Sequence, residues 1–179
     1  ITSDVTNIPV LLALEATSGT TNTDVTGIFT ALGANSLKIA VTTEDKLTQC
    51  YVEIERWSNA TNQAWLWVKV PLVSATEETT LYLYYDATIA NNSTYVGVVL
   101  STPAKTVWDS NYKIVTHLEQ DPSGTAPQIL DSTSNVKHGT SAGTMTTSDL
   151  VSAKINKGLD LDGSNDHIVF GTLDSNTVI

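Results

Sequence analysis

Cysteine, basic residues and long apolar runs are all scarce in this sequence of 179 residues. The single cysteine, Cys50, excludes an intramolecular disulfide, and with no His or Asn nearby to activate it we interpret it as a half-buried thiol that serves as a small hydrophobe. Nine Lys and Arg residues against 19 Asp and Glu give a net charge of −10, which argues against nucleic acid as a partner. No apolar run approaches the roughly 18 residues that a membrane-spanning helix requires, so we expect no membrane insertion.

The residues that are abundant favour β-structure. Hydrophobic residues make up 41% of the chain and charged residues only 16%, a combination that favours strands over solvent-exposed helices. In the segment 51–57, Val52 and Ile54 alternate with Glu53 and Glu55. This alternation predicts a strand with one packed face and one face in water.

Other segments extend this prediction along the chain. Residues 64–71 and 79–86 complete a run of three strands and indicate an all-β fold, an antiparallel β-sandwich. Further strands are predicted at 7–14, 36–41, 158–161 and 167–170, whereas 24–32 fits either a short helix or a strand. A change of composition near residue 103 predicts a boundary between domains 1–103 and 104–179.

Two glutamates and three histidines are the first candidates for chemistry. Glu53 and Glu55 share one face of a strand, roughly 6–7 Å apart. The strand lacks the third acid of a glucanase pattern, so we interpret both as solvent-facing structural carboxylates rather than catalytic groups. His117, His138 and His167 have no metal-ligand spacing, and we predict hydrogen-bonded structural roles for them.

Four aspartates raise the question of calcium, because Ca²⁺ takes about six to eight oxygen ligands. They are Asp131, Asp160, Asp162 and Asp166. Their spacing lacks the regular alternation of an EF-hand loop, and aspartates in such positions commonly cap turns. We favour turn capping and predict no metal site, with calcium near Asp131, Asp162 or Asp166 as the open alternative.

Aromatic residues on the predicted strands suit either a core or a platform for sugar rings. They are Trp57, Trp65, Trp67, Tyr82, Tyr84 and Tyr85. Trp65 and Trp67 share one face of a strand, as do Tyr82 and Tyr84, and this spacing suits packing between two sheets. We therefore favour the core for most of them, with Trp57, beside a loop, as the exposed exception.

Four short motifs are spread over the first half of the chain. They are Asn-Ile-Pro-Val at 7–10, Glu-Ile-Glu-x-Trp at 53–57, Trp-Val-Lys-Val-Pro at 67–71 and Leu-Tyr-Leu-Tyr-Tyr at 81–85. On these motifs, residues 1–92 resemble the domain-of-unknown-function family 2341. That family usually has Gly-Asn after the tyrosine pair, where this chain has Asp86 and Ala87. The resemblance implies a β-sandwich and carries no known activity.

A second set of motifs follows residue 106. It comprises Val-Trp-Asp at 107–109, His-Leu at 117–118, Asp-Ser-Thr-x-Asn at 131–135, His-Gly-Thr at 138–140 and Leu-Asp-Gly-Ser-x-Asp-x-Ile at 161–168. These residues resemble the opening half of a concanavalin A-like, or laminin G-like, jelly roll. Because such a fold needs more strands than 104–179 supplies, the resemblance implies a partial jelly roll that other chain segments or subunits complete.

These features together predict a non-enzymatic structural or adhesion module of an extracellular, cell or virion surface, and a fragment of a larger protein. Its expected partners are a glycan and either other subunits or the remainder of a longer chain, and no cofactor is expected. The alternative is an accessory carbohydrate-binding region of a secreted glycoside hydrolase, and a third option is a scaffold without a ligand. Asn59, Asn91 and Asn92 fit the rule for N-glycosylation.

Overall fold

The computed structural model describes residues 1–172, and these residues are mostly β. Strands account for 37% and helices for 9%, in several small sheets, with neither a closed barrel nor a jelly roll among the described residues. The chain divides into two compact units, Ile1–Val107 and Trp108–Ile179. Residues 173–179, the end of the predicted domain 104–179, lie outside the described part of the chain.

The first unit is built from strands of very different lengths and two short helices. In chain order they are β1 (Val5–Leu14), β2 (Thr17–Ser18), β3 (Thr23–Asp24), α1 (Thr26–Leu32), β4 (Ile39–Thr43), β5 (Val52–Ser58), β6 (Gln63–Val73), β7 (Leu81–Tyr85), β8 (Val96–Val98) and α2 (Thr102–Val107). One sheet has the strand order β1-β6-β5-β8. A separate sheet pairs β4 with β7, and β2 pairs with β3.

The predicted run of three strands is divided between these two sheets. β5 and β6 form an antiparallel hairpin, as predicted, but β7 leaves to pair with β4, where Leu83 lies opposite Val41. β8 runs parallel to β5, so the sheet is not purely antiparallel. The long connection between these strands lets the chain return in the same direction. The segment 24–32, whose sequence fits either a short helix or a strand, contains the helix α1.

The apolar core of the first unit draws on both sheets and on α1. Among its most buried large side chains are Phe29, Ile39 and Leu66. Val52 and Ile54 also belong to it, which confirms the core-facing side predicted for β5. Full burial of one such side chain contributes about 1.5–3 kcal/mol, so this cluster is the main source of stability in the unit.

The opposite face of β5 is buried as well, so the prediction of a wet face was wrong. Glu53 is 0% exposed and Glu55 is 9% exposed. Helix α2 covers this face and contributes the buried side chains of Pro103, Ala104 and Val107. Both glutamates therefore lie between a sheet and a helix instead of facing solvent.

Gly97 permits the close approach of the α2 segment to the sheet. It pairs with Glu53 across β8 and β5, on the covered face. A Cβ at this position would overlap Ser101 Oγ and lie 2.7 Å from Pro103 Cγ. A side chain larger than hydrogen at position 97 would push this segment away from the sheet.

The second unit has smaller sheets. Its strands are β9 (Gly139–Ala142), β10 (Leu150–Ser152), β11 (Lys157–Leu159) and β12 (His167–Phe170), and a 3-10 turn covers Thr147–Asp149. β12 occupies the segment predicted for it. It pairs with β9, and β11 pairs with β10. In residues 1–172, no helix is both long and apolar enough to cross a bilayer.

Candidate functional site

Two tyrosines share the outer face of the β4–β7 sheet. Leu81 and Leu83 pack against the core, so strand alternation directs Tyr82 and Tyr84 to the opposite side. Their ring centroids are 6.4 Å apart, and the ring planes meet at 34°. Tyr84 is 42% exposed. We call this pair the tyrosine platform.

Small side chains and one cation surround the tyrosine platform. Across the strand pair, Ala40 lies opposite Tyr84 and Thr42 lies opposite Tyr82. Directly paired residues point to the same face, and neither of these is large enough to cover an aromatic ring. Lys46 places its Nζ 4.7 Å from the centroid of the Tyr82 ring, within cation–π range.

The turn that carries Lys46 is fixed by Asp45. Oδ2 of Asp45 accepts a hydrogen bond from the Thr48 hydroxyl at 2.6 Å, and Oδ1 accepts from the Thr43 hydroxyl at 2.8 Å. Oδ1 also accepts from the backbone N–H groups of Leu47 and Thr48, both at 2.9 Å. These bonds, that of the Thr48 hydroxyl first, hold the pKa of Asp45 well below its usual range. Lys46 therefore projects from a well-defined turn.

A carboxylate marks the other end of the platform strand. Asp86 follows β7 directly and accepts hydrogen bonds from the hydroxyl and the N–H of Thr88, at 2.7 and 2.8 Å. These two bonds lower the pKa of Asp86, the hydroxyl contributing most. Lys38 Nζ donates to the Ala87 carbonyl at 2.8 Å and secures the same turn. The platform thus combines exposed aromatic surface with charged groups at both ends of the strand.

The remaining aromatic candidates do not join the platform. Tyr85 is 43% exposed but faces the other side of β7, where its hydroxyl lies near Gly27. The expectation that Trp57 is the exposed exception was wrong. Its ring packs on Phe29 with centroids 5.0 Å apart, and its Nε1–H donates to the Gly33 carbonyl at 2.8 Å.

The two strand glutamates belong to a buried polar layer beneath α2. Oε2 of Glu55 accepts a hydrogen bond from Trp67 Nε1 at 2.6 Å. Lys69 on the neighbouring strand donates from Nζ to the Thr106 carbonyl in α2 at 3.1 Å. This layer attaches the helix to the sheet and keeps both carboxyl groups largely away from solvent.

Asp131 organises a loop of the second unit. It is 0% exposed, and its Oδ1 accepts hydrogen bonds from the N–H groups of Val115 at 3.0 Å and Thr133 at 2.9 Å. Its Oδ2 accepts from the Thr133 hydroxyl and the Lys137 N–H, both at 2.8 Å. The Asp131 N–H donates to His138 Nδ1 at 2.9 Å. Four donors therefore saturate the carboxylate.

The other three aspartates considered as calcium ligands, Asp160, Asp162 and Asp166, lie between β11 and β12. Asp162 Oδ1 accepts from the N–H groups of Ser164, Asn165 and Asp166, which lowers the pKa of Asp162. Asp160 is exposed at the end of β11. Within the described ranges, no three His, Cys, Asp or Glu side chains form a group that could hold a metal ion.

The cysteine belongs to the first unit and the three histidines belong to the second. His167 Nδ1 donates to the Asn165 carbonyl at 2.7 Å, and the His117 ring lies 6.3 Å from that of Trp108. Cys50 is 2% exposed, and burial, with a smaller contribution from the Asp45 charge, raises its thiol pKa to about 11. A thiol in this state is a poor nucleophile.

Of the three glycosylation candidates, one has a structural role. Asn92 Nδ2 donates to the Ile39 carbonyl at 3.0 Å and to Gln49 Oε1 at 2.9 Å. A glycan on this nitrogen would displace at least one of these bonds. Asn59 and Asn91 are exposed.

The region that holds the tyrosine platform is similar to a known protein family. Residues 35–101 match a domain of unknown function, DUF2341. The matched segment contains β4 to β8, so it includes the tyrosine platform but neither the motif at 7–10 nor α2. No curated protein and no solved structure matches the chain. None of these comparisons supports a jelly roll in residues 104–179.

Proposed function

We propose that this chain is a non-enzymatic module of an extracellular, cell or virion surface, and that its tyrosine platform binds a glycan. The observation that carries the proposal is the pair of rings on Tyr82 and Tyr84, 6.4 Å apart on one outer face. The C–H groups on the apolar face of a pyranose are attracted to the negative face of an aromatic ring. Lys46 and Asp86 supply charged partners for sugar hydroxyls at the two ends of the strand.

The position of the acid pair supports a role without catalysis. A glycosidase needs two carboxyl groups that flank a substrate bond. Glu53 and Glu55 lie side by side under α2, at 0% and 9% exposure. Neither can reach a sugar bound at the platform, because the platform is on a different sheet.

We extend the proposal to the finer fold. The β1-β6-β5-β8 and β4-β7 sheets act as the two layers of a β-sandwich, which is supported by a core that draws residues from both. For 104–179 we propose the opening part of a jelly roll on the sequence motifs alone. A surface location is supported by the net charge of −10 and by a fold that needs no disulfide.

The test is a glycan array followed by calorimetry on the best binder. We expect Tyr84→Ala and Tyr82→Ala each to weaken binding about tenfold or more, equivalent to about 1.4 kcal/mol. Tyr85→Ala is the matched control, because Tyr85 and Tyr84 are 43% and 42% exposed on opposite faces. Equal loss in the Tyr84 and Tyr85 variants, or no binding to any glycan of a broad array, would reject the proposal.

A further inference from the structure

An open cleft lies along one flank of the first unit, where β1 and β6 face β4 and β7. Apolar side chains line a cavity of about 220 Å³ here, among them Val10, Val41, Val68, Leu81 and Leu83. A second cavity of about 350 Å³ shares Leu81 with the first and is lined on β6 by Val70, Pro71 and Leu72, while none of its described lining residues belongs to β1. We call the two cavities together the flank groove.

Two of the strands that border the flank groove, β1 and β7, each have one free edge within residues 1–172. β1 pairs only with β6, and β7 pairs only with β4. Pro9 in β1 lacks an N–H, which a strand tolerates where that donor would point away from the sheet. Alternate residues of an antiparallel strand direct their backbone groups to the same side, so Leu11 and Ala13 present N–H and C=O groups at this edge.

Val10 lies on the core-facing side of β1 but is partly exposed to solvent in the groove. Ile8 and Leu12 pack against the core, and Val10 between them points to the same face. Val10 is nevertheless 39% exposed, although Val68, its partner on β6, is 1% exposed. The inner face of β1 is thus open to solvent where the second sheet ends.

One end of the flank groove is acidic. Its lining includes Glu44, Glu77 and Glu78, and no described lining residue is a Lys or Arg. The whole chain carries a net charge of −10. A second copy would bring further negative charge to this rim, whereas a basic group would be attracted to it.

We propose that the flank groove binds an extended peptide of another protein, with alternating apolar side chains and Lys or Arg residues at one end. The apolar side chains fill the cavity beside Val10, and the peptide backbone pairs with Leu11 and Ala13 at the free edge of β1. The basic residues lie against Glu77 and Glu78. This is strand addition, in which backbone hydrogen bonds supply affinity and alternate side chains supply specificity.

Two labelled peptides test the charge requirement. One is Lys-Lys-Val-Thr-Val-Thr-Val-Thr-amide, and the other replaces both lysines by glutamates. Fluorescence anisotropy should show the lysine peptide binding about tenfold or more tighter at low salt, with a smaller difference at high salt. The double variant Glu77→Lys, Glu78→Lys should reverse this preference, and Asp160→Lys in the second unit, an exposed control, should leave it unchanged. Failure of the lysine peptide to bind would overturn the proposal.

A second pair of variants tests the apolar part of the groove. Val10→Glu should weaken binding of the lysine peptide about tenfold or more. Val98→Glu, at 53% exposure on the opposite edge strand, is the matched control and should bind as the unaltered protein does. Equal binding by both variants would overturn the proposal, as would a dimer in solution that Val10→Glu abolishes, because it would assign the groove to a second copy. Glycan binding at the tyrosine platform is independent of both results.

Discussion

The indole Nε1–H of Trp67 donates a hydrogen bond of 2.6 Å to Oε2 of Glu55, beneath helix α2. Adjacent strands bring both side chains to the same covered face. A buried carboxylate destabilises a fold unless donors replace the water it has lost. This bond is therefore one reason why a strand with alternating glutamates can be buried on both sides.

Loss of this donor should destabilise the first unit. We expect Trp67→Phe to lower the free energy of unfolding by about 2–3 kcal/mol in urea denaturation, because an aromatic ring is kept while a hydrogen bond to a buried carboxyl group is lost. Replacing both partners, as in Trp67→Phe with Glu55→Leu, should cost less than the sum of the single changes. Strict additivity would show that the two groups are not coupled.

Position 97 should accept no larger side chain. We expect Gly97→Ala to destabilise the first unit by about 1–3 kcal/mol, since the new methyl group overlaps Ser101 Oγ and crowds Pro103. Gly171→Ala is the control, because no atom of the described residues 1–172 lies within 4 Å of a Cβ at that position. Its effect should stay within about 0.5 kcal/mol. Similar unfolding midpoints for both variants would contradict the close approach of the α2 segment.

Asp131 should be essential for order in the second unit. In Asp131→Asn one side-chain oxygen becomes an NH₂ group, which cannot accept from the Thr133 hydroxyl or the Lys137 N–H. We expect a loss of about 2 kcal/mol or more, seen as faster amide hydrogen exchange across residues 115–137. Asp160→Asn, at an exposed position, is the control. Unchanged exchange rates in Asp131→Asn would exclude the proposed role.

The turn at Asp45 should make stability fall in acid. The pKa of Asp45 is lower in the folded state than in the unfolded state. Its contribution to the free energy of unfolding is therefore complete above the unfolded pKa of about 3.9, and it is lost as the pH falls through the folded pKa. The pKa values of Asp24, Asp86, Asp121 and Asp162 shift in the same direction. We expect the melting temperature of the unaltered protein to decrease as the pH is lowered below about 4. The decrease should be less steep in Asp45→Asn and Thr48→Val. Identical profiles in all three proteins would refute this.

The sequence pattern was sufficient to predict β5 and its core-facing side. Val52 and Ile54 alternate with polar residues, and that period depends only on strand geometry. The burial of Glu53 and Glu55 could not be predicted, because α2 covers them from a distant part of the sequence. The apolar side chains of α2 are too few and too small to indicate a covering helix.

Sequence alternation was equally insufficient to predict which strands pair and which face of β7 is exposed. Alternation predicted that Tyr82 and Tyr84 share a face of β7, and the structure confirms it. It could not predict which face is buried, because both Leu-Leu and Tyr-Tyr faces are suitable for a core. That choice depends on the pairing of β7 with β4, which sequence periodicity does not specify.

The parallel pairing of Val52 with Val96 has a consequence for biosynthesis. β5 lies in the interior of its sheet, yet its second neighbour, β8, is synthesised only after β6 and β7. Until then one edge of β5 is available to other chains, since long-range strand pairing is slow and leaves edges open during folding. β5, a strand buried on both faces, is therefore also one whose environment the nascent chain completes late.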